Sequence, residues 1–465
     1  MKSKIKVGYL PFFIKLYDDT NPNYRTPLVA YMEKLVAMLE DQGIEVVMAD
    51  DVCRIQSEFD RAVQKFNDAG VAAVITQHLA YSPSLESIDA LLRIKAPIIV
   101  FDTTPDYQIL AVAEKENRIS ANHGIHGVQD MCSMLKRYHK PYYLCVGHAL
   151  HSNVVSEVVG LCRAAAVKKA YENIRVGSVG GSFTGMGDFL ISDERYGTDI
   201  GAQVRYMTAE VVEKYLAMVT DEEVAAEMAA DALQYDVDVT YSDEYKLATK
   251  SGLAVRKWMQ EEKLNACTVN FLTLDICGLP KMPFPECCKI MERGMGYAGE
   301  GDVLSAGLVG ALIQVYPNTT FTEMFCPDWE LDMILMSHMS EMNPNLAQWK
   351  PLIRDRNFNF NSCGNTVGMY SCFRAGNVTI VNLVPMLDGY TMILCPGQML
   401  DCGIKESAYK CAIQGWFQPP KKLREFLKAY SEAGGTHHSA MVYDADIEEL
   451  KNFGKMMGFE VVVIS

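Results

Sequence analysis

The chain has 465 residues, of which 49% are hydrophobic and 22% charged, with a formal net charge of −15. That length exceeds what one core usually serves and implies two or three domains, while the composition is ordinary for a soluble globular protein. The negative charge argues against nucleic acid or an anionic membrane surface as a partner, and it suits a small neutral or cationic substrate.

The N-terminus leads directly into a strand-like run, Ile5-Lys6-Val7-Gly8-Tyr9-Leu10, with no signal-peptide pattern before it, and no apolar run along the chain is long enough to span a bilayer. Residues 24–42 then turn helical, with Leu28, Met32, Leu35 and Leu39 on one face and Gly43 as the stop. Strands are expected at 44–48, 71–76, 97–102 and 142–146, separated by helices over 58–69, 85–94 and 127–138. Alternation of this kind predicts βαβ units and a doubly wound parallel sheet over residues 1–170. Ligands of such sheets sit beyond the strand C-termini, which singles out Tyr17, His78 and the glycine-rich loop around His123.

The runs Val176-Gly177-Ser178-Val179-Gly180-Gly181 and Gly185-Met186-Gly187-Asp188 match neither a dinucleotide fingerprint nor a phosphate-binding loop, so no nucleotide cofactor is expected. Residues 208–233 read as one acidic surface helix with Ala and Met on its inner face and charge that serves solubility. Fourteen cysteines without a Cys-x-x-Cys spacing point to reduced thiols in a cytoplasmic protein. Adjacent Cys287 and Cys288 read as packing residues.

After about residue 355 the pattern becomes β-rich. The runs 378–383 and 390–394, joined through Leu387-Asp388-Gly389, predict a hairpin in an antiparallel sheet separate from the N-terminal one. An amphipathic helix carrying Leu423, Phe426, Leu427 and Tyr430 ends at Gly434-Gly435, which is expected to deliver His437 and His438 into a loop. A helix over 447–457 and a strand over 460–464 close the chain.

Four short runs carry the chemistry: Gly299-Glu300-Gly301-Asp302, Phe321-Thr322-Glu323-Met324, Ser337-His338-Met339 and Gly435-Thr436-His437-His438. Two carboxylates and two imidazoles suit Mn²⁺, Fe²⁺, Co²⁺ or Zn²⁺. Their spacing is too wide for a single-helix motif, so the tertiary fold has to assemble the site. Taken singly, Glu300 could be a helix N-terminal carboxylate ahead of 303–315, and His338 a core histidine at a strand end.

Taken together, the runs 297–302, 320–323, 337–339 and 434–438 resemble the metal-site motifs of the L-arabinose isomerase family, in the same order and at similar spacing. The tail after His438 resembles that family's C-terminus. The resemblance implies an N-terminal α/β domain (1–170), a central α/β domain (171–325) and a C-terminal antiparallel β-barrel-like domain (326–465), assembled as trimers or hexamers. It implies Glu300, Glu323, His338 and His438 as ligands of Mn²⁺, Co²⁺, Fe²⁺ or another divalent metal, with His437 as the substitute histidine. Glu300 and Glu323 would combine ligation with acid/base work in an aldose–ketose isomerisation, a proton passing between C1 and C2 through an enediol(ate); a metal-assisted hydride shift would use the same ligands.

Leu16, Tyr17, His123 and Met339 match the family's substrate-contacting positions, whereas Ile14 and Ser120 stand where the family carries Gln. Losing those amides leaves open which sugar is used: L-arabinose, or another aldose such as L-fucose, D-galactose or a modified hexose. Two other readings fit less well. A non-haem iron site would need only one carboxylate with its two histidines, and a non-catalytic sugar-binding protein would need no acid/base pair.

Overall fold

The βαβ pattern of the N-terminal third folds as its periodicity dictates. The structure is a computed structural model that describes residues 5–110, 118–410 and 412–465, and the chain divides into two units, residues 1–166 and 167–465. In the first unit, β1 (Ile5–Phe12), β2 (Ile44–Met48), β3 (Ala73–His78), β4 (Ile98–Asp102) and β5 (Tyr142–Val146) form a parallel sheet ordered β2-β1-β3-β4-β5. The strand order reverses between β1 and β3, the place where such sheets bind ligands. The helix Thr26–Asp41 buries Leu28, Met32, Leu35 and Leu39, the face its spacing predicts. The helix expected over 85–94 is shorter, a 3-10 turn at Ser84–Glu86 followed by Ile88–Leu92. Asp130 accepts hydrogen bonds from the Ser84 amide and hydroxyl, at 3.0 and 2.8 Å, which pins that turn.

In chain order the strands of the second unit are β6 (Arg175–Val179), β7 (Gln203–Met207), β8 (Asp236–Asp238), β9 (Ala266–Val269), β10 (Gly296–Gly299), β11 (Thr319–Asp328), β12 (Met333–Ser337), β13 (Leu352–Arg356), β14 (Thr366–Tyr370), β15 (Gly376–Pro385), β16 (Tyr390–Leu400), β17 (Gly415–Gln418), β18 (His438–Tyr443) and β19 (Glu460–Val463). A four-stranded parallel sheet runs β10-β9-β6-β7, and β8 joins β13 and β14 in a small mixed sheet. The order β15-β18-β11-β12-β17-β16 closes on itself through β15–β16, giving a six-stranded antiparallel barrel with β19 added parallel to β16. Its core includes Met336, Phe373, Ile380, Ile393, Phe417, Phe426 and Met441. The predicted hairpin is β15–β16, with Gly389 at φ 99° in its turn. Closure removes the exposed edges that an open sheet would leave.

Two expectations need correction. Residues 208–233 form two helices, Ala209–Ala217 and Asp221–Gln234, because Thr220 and Glu223 make a capping box that starts the second. The buried positions are Val212, Tyr215, Val224 and Asp231 rather than an Ala/Met face, and part of the charge is structural. Asp231 pairs with Lys289, and Glu227 bridges Lys289 and Arg256. His438 opens strand β18 instead of lying in a loop. Asn382 of β15 donates to the His438 carbonyl (2.7 Å) and exchanges hydrogen bonds with Thr436, drawing this segment into the barrel. Among the described residues no helix is long and apolar enough to cross a membrane.

Candidate metal centre

Barrel register brings distant parts of the sequence to one level. Glu323 on β11 is the register partner of His438 on β18 and of Ser337 on β12, and His338 follows Ser337 directly. Opposed residues of antiparallel strands share a face, so β11 and β18 present a carboxylate and an imidazole together, while the second imidazole, His338, comes from the turn just past the end of β12.

Glu300 arrives from the parallel sheet, on the turn after β10. Its backbone lies in the left-handed region at φ 61°, a conformation that costs a non-glycine residue about 1–3 kcal/mol and is characteristic of functional sites. The glycines on either side permit this turn. A Cβ at Gly299 would strike the His338 ring, and one at Gly301 would strike the Gly181 carbonyl. The glycine run after β6 therefore lets that loop pass beside the turn, where the Phe183 amide donates to the Glu300 carbonyl (3.2 Å).

Ligand atoms of Glu300, His338 and His438 lie within 4.8 Å of one another. His438 is fully buried; its Nδ1 donates to Asp302 at 3.0 Å, while its buried Nε2 has no hydrogen-bond partner among the described residues and lies 3.5 Å from Glu300 Oε2. His338 Nδ1 donates to Glu341 at 2.8 Å, and Tyr297 holds the other oxygen of that carboxylate at 3.1 Å. Imidazoles backed by carboxylates at Nδ1 are oriented, and their tautomer fixed, to offer Nε2 to a metal. A buried nitrogen without a partner otherwise costs about 1–3 kcal/mol. The donor set and its support thus fit a divalent cation held by these three residues. Ring packing keeps the imidazoles in place: Phe189 stacks on His438 (5.0 Å, 7°), and Phe321 meets both His338 and His438 edge-on.

Glu323 stands beside this cluster and is not one of its three members. Burial raises its carboxyl above the usual range, against the pull of His338, His438 and His437. Burial would raise Glu300 as well, but His437 and His438 beside it hold its carboxyl well below that range. Two neighbouring carboxyls are therefore biased in opposite directions.

His437 faces a different partner from its neighbour. Its Nδ1 lies 2.6 Å and its amide nitrogen 3.0 Å from Asp188 Oδ2, and its Nε2 is 3.9 Å from Glu300 Oε2. The Asp188 hydrogen bond, helped by Glu300, pushes the ring up to about 10.

Within the N-terminal unit, the Tyr17 hydroxyl and His123 Nε2 are 3.0 Å apart. Tyr17 and Ser120 line a cavity of about 300 Å³ together with Tyr24, Tyr31, Lys34 and Asp106. Leu16 is exposed, and Met339, in the second unit, is half-buried. His78 is buried against Phe12.

The supporting carboxylates escaped the sequence reading. Asp302 and Asp188 lie inside glycine-containing runs that were singled out for other reasons, and Asp302, rather than Glu300, caps the helix Val303–Val315. Glu341, three residues after His338, has no sequence signal of its own.

Comparison with known proteins assigns residues 194–316 to the L-arabinose isomerase central domain and residues 318–460 to the L-arabinose isomerase C-terminal domain. The L-arabinose isomerase of Aeromonas salmonicida (strain A449) is 23% identical over 415 residues, covering 85% of this chain and 81% of its own. Those of Clostridium beijerinckii (strain ATCC 51743 / NCIMB 8052) and Cellvibrio japonicus (strain Ueda107) are 24% and 23% identical, covering 86% and 93% of this chain and 82% and 89% of theirs.

Proposed function

This chain belongs to the L-arabinose isomerase family, and on that premise we propose that it is a divalent-metal-dependent aldose–ketose isomerase moving a proton between C1 and C2 of an open-chain sugar through an enediol(ate). The observation that carries this reading is the cluster of Glu300, His338 and His438, with Asp302 and Glu341 backing the two imidazoles. Manganese, cobalt or ferrous iron would suit that donor set. The cation, when bound, would supply Lewis acidity that polarises the sugar carbonyl and offsets negative charge developing on the oxygens.

The remaining work falls to side chains. Glu323, buried and biased toward holding a proton, takes the proton from one sugar carbon and returns it to the other. Glu300, the second carboxylate of the site, passes the hydroxyl proton from one sugar oxygen to the other, which completes the aldose–ketose conversion. Phe189 and Phe321 wall the imidazoles with apolar surface, which strengthens the electrostatics inside. The reading extends to a cytoplasmic homo-oligomer, in keeping with the family resemblance.

The sugar is L-arabinose or another aldose. Ile14 and Ser120, in place of two amide side chains, favour a substrate with different hydroxyl demands from those the amides would serve. The test is a panel of L-arabinose, D-galactose, L-fucose, D-xylose, D-glucose and C6-modified hexoses, incubated in D₂O with Mn²⁺ and, in parallel, with a chelator. Ketose formation that needs the metal and carries deuterium at the transferred position supports the proposal. Ketose that needs the metal but carries no deuterium is the result of either a hydride shift or a proton returned by Glu323 without solvent exchange, and no ketose from any sugar removes the isomerase reading.

A further inference from the structure

Bordered by His338 lies a cavity of about 10 Å³ whose lining includes polar side chains that the isomerase reading does not use. Ser340, Ser371 and Gln414 each border it, and each is more than nine-tenths buried. Their side-chain oxygens, Ser340 Oγ, Ser371 Oγ and Gln414 Oε1, have no partner among the described residues. We propose that this cavity binds one water molecule, held by these three oxygens.

The valences support a water and little else. Gln414 Nε2 donates to the Glu341 carbonyl (3.3 Å), which fixes the amide so that Oε1 is the acceptor left over. Its main chain is equally tied down, the amide donating to Met336 O (3.2 Å) and the carbonyl accepting from Phe373 N (2.6 Å). Two serine hydroxyls can donate and one amide oxygen can accept, and a single water meets all three by accepting twice and donating once. The volume corresponds to about one water-sized sphere, and buried waters make about three hydrogen bonds. Three neutral oxygens in so small a space offer nothing to neutralise a bound ion. Left alone, each of these buried polar atoms would be costly.

The site sits where it can brace the histidine. Ser340 is two residues beyond His338 and holds a left-handed backbone at φ 90°, and Glu341, which orients His338 Nδ1, comes next. The water joins this turn to the segment after β14, where Ser371 lies, and to Gln414 just ahead of β17. It thereby links the turn that carries His338 to two other segments. This effect on metal binding rests on the isomerase reading; the water site itself does not.

The experiment is a crystal structure of the full-length protein at a resolution that shows ordered solvent, with Gln414→Leu and Ser371→Ala as companions and Mn²⁺ titrations of all three. The wild type is expected to show one solvent peak about 2.5–3.2 Å from all three oxygens. Either substitution should remove or displace it and weaken Mn²⁺ binding several-fold. The proposal is overturned if no peak is present, if the two serines bond to each other directly, if the peak scatters as a heavier ion, or if it survives unchanged in Gln414→Leu. A wild type that binds no Mn²⁺ would count against the metal reading alone, since the density judges the water independently.

Discussion

Asp302 uses its two carboxylate oxygens for two different tasks, and one of them is to hold His438. Oδ2 accepts from His438 Nδ1 at 3.0 Å, while Oδ1 accepts from the Ser305 amide at 2.8 Å and caps the helix Val303–Val315. The same buried residue thus anchors a helix start and orients an imidazole of the candidate metal site.

The two tasks separate by substitution. Asparagine caps helices about as well as aspartate, whereas alanine forfeits about 1 kcal/mol. Asp302→Asn and Asp302→Ala should both weaken Mn²⁺ binding by about 10- to 100-fold, as expected for a carboxylate that backs a ligand histidine. Urea unfolding should show the additional cap loss only in Asp302→Ala. Unchanged metal affinity in both variants would remove Asp302 from any role at the site.

The two glutamates should fail differently. Glu300→Gln removes a member of the three-residue cluster and should cost metal affinity first, read by calorimetric titration. Glu323→Gln should bind Mn²⁺ more nearly like the wild type yet lose turnover by about 10²- to 10⁴-fold, the usual worth of a general base. A Glu323→Gln enzyme with near-normal turnover would show that the proton moves by another route.

Much of this layout is legible in the sequence, and the gaps have physical causes. Leu28, Met32, Leu35 and Leu39 announce their helix because one face is buried at helical spacing, and Asp388-Gly389 announces the β15–β16 hairpin because its turn demands a positive φ. The ligand candidates could be named because ligand residue types are few. Their supports could not: Glu341 and Asp188 act through tertiary contacts, and neither type nor spacing marks them. Over 208–233 the charge pattern is continuous across a capping box and hides the break between two helices, and the entry of His438 into β18 depends on the non-local grip of Asn382.

Adjacent histidines offer a sharper comparison. His438 belongs to the metal cluster, whereas His437 is committed to Asp188. His438→Ala should abolish stoichiometric Mn²⁺ binding, and His437→Ala should leave affinity within a few-fold of the wild type. The reverse result would exchange their roles. Both can be read by the paramagnetic signal of free Mn²⁺.

His78 gives the N-terminal unit a pH-dependent stability. Burial lowers its ring from the ordinary 6.5 to about 3, and neither ring nitrogen has a partner among the described residues. Between those values the unfolded chain binds a proton that the folded chain does not. This contribution is therefore complete above about pH 6.5 and falls as pH drops toward 3, with a slope approaching about 1.4 kcal/mol per pH unit. Urea titrations from pH 7 to 5 should show the wild type losing more stability than His78→Leu. Parallel curves would mean that the ring is protonated, or solvated, in the folded protein.

The most direct measurement is the anomalous scattering of a crystal of the full-length protein soaked with Mn²⁺. One peak per chain is predicted, placed between the Nε2 atoms of His338 and His438 and the carboxylate of Glu300, with Glu323 beside it. A peak elsewhere, or none at saturating Mn²⁺, would contradict the metal centre on which this account of the chemistry stands.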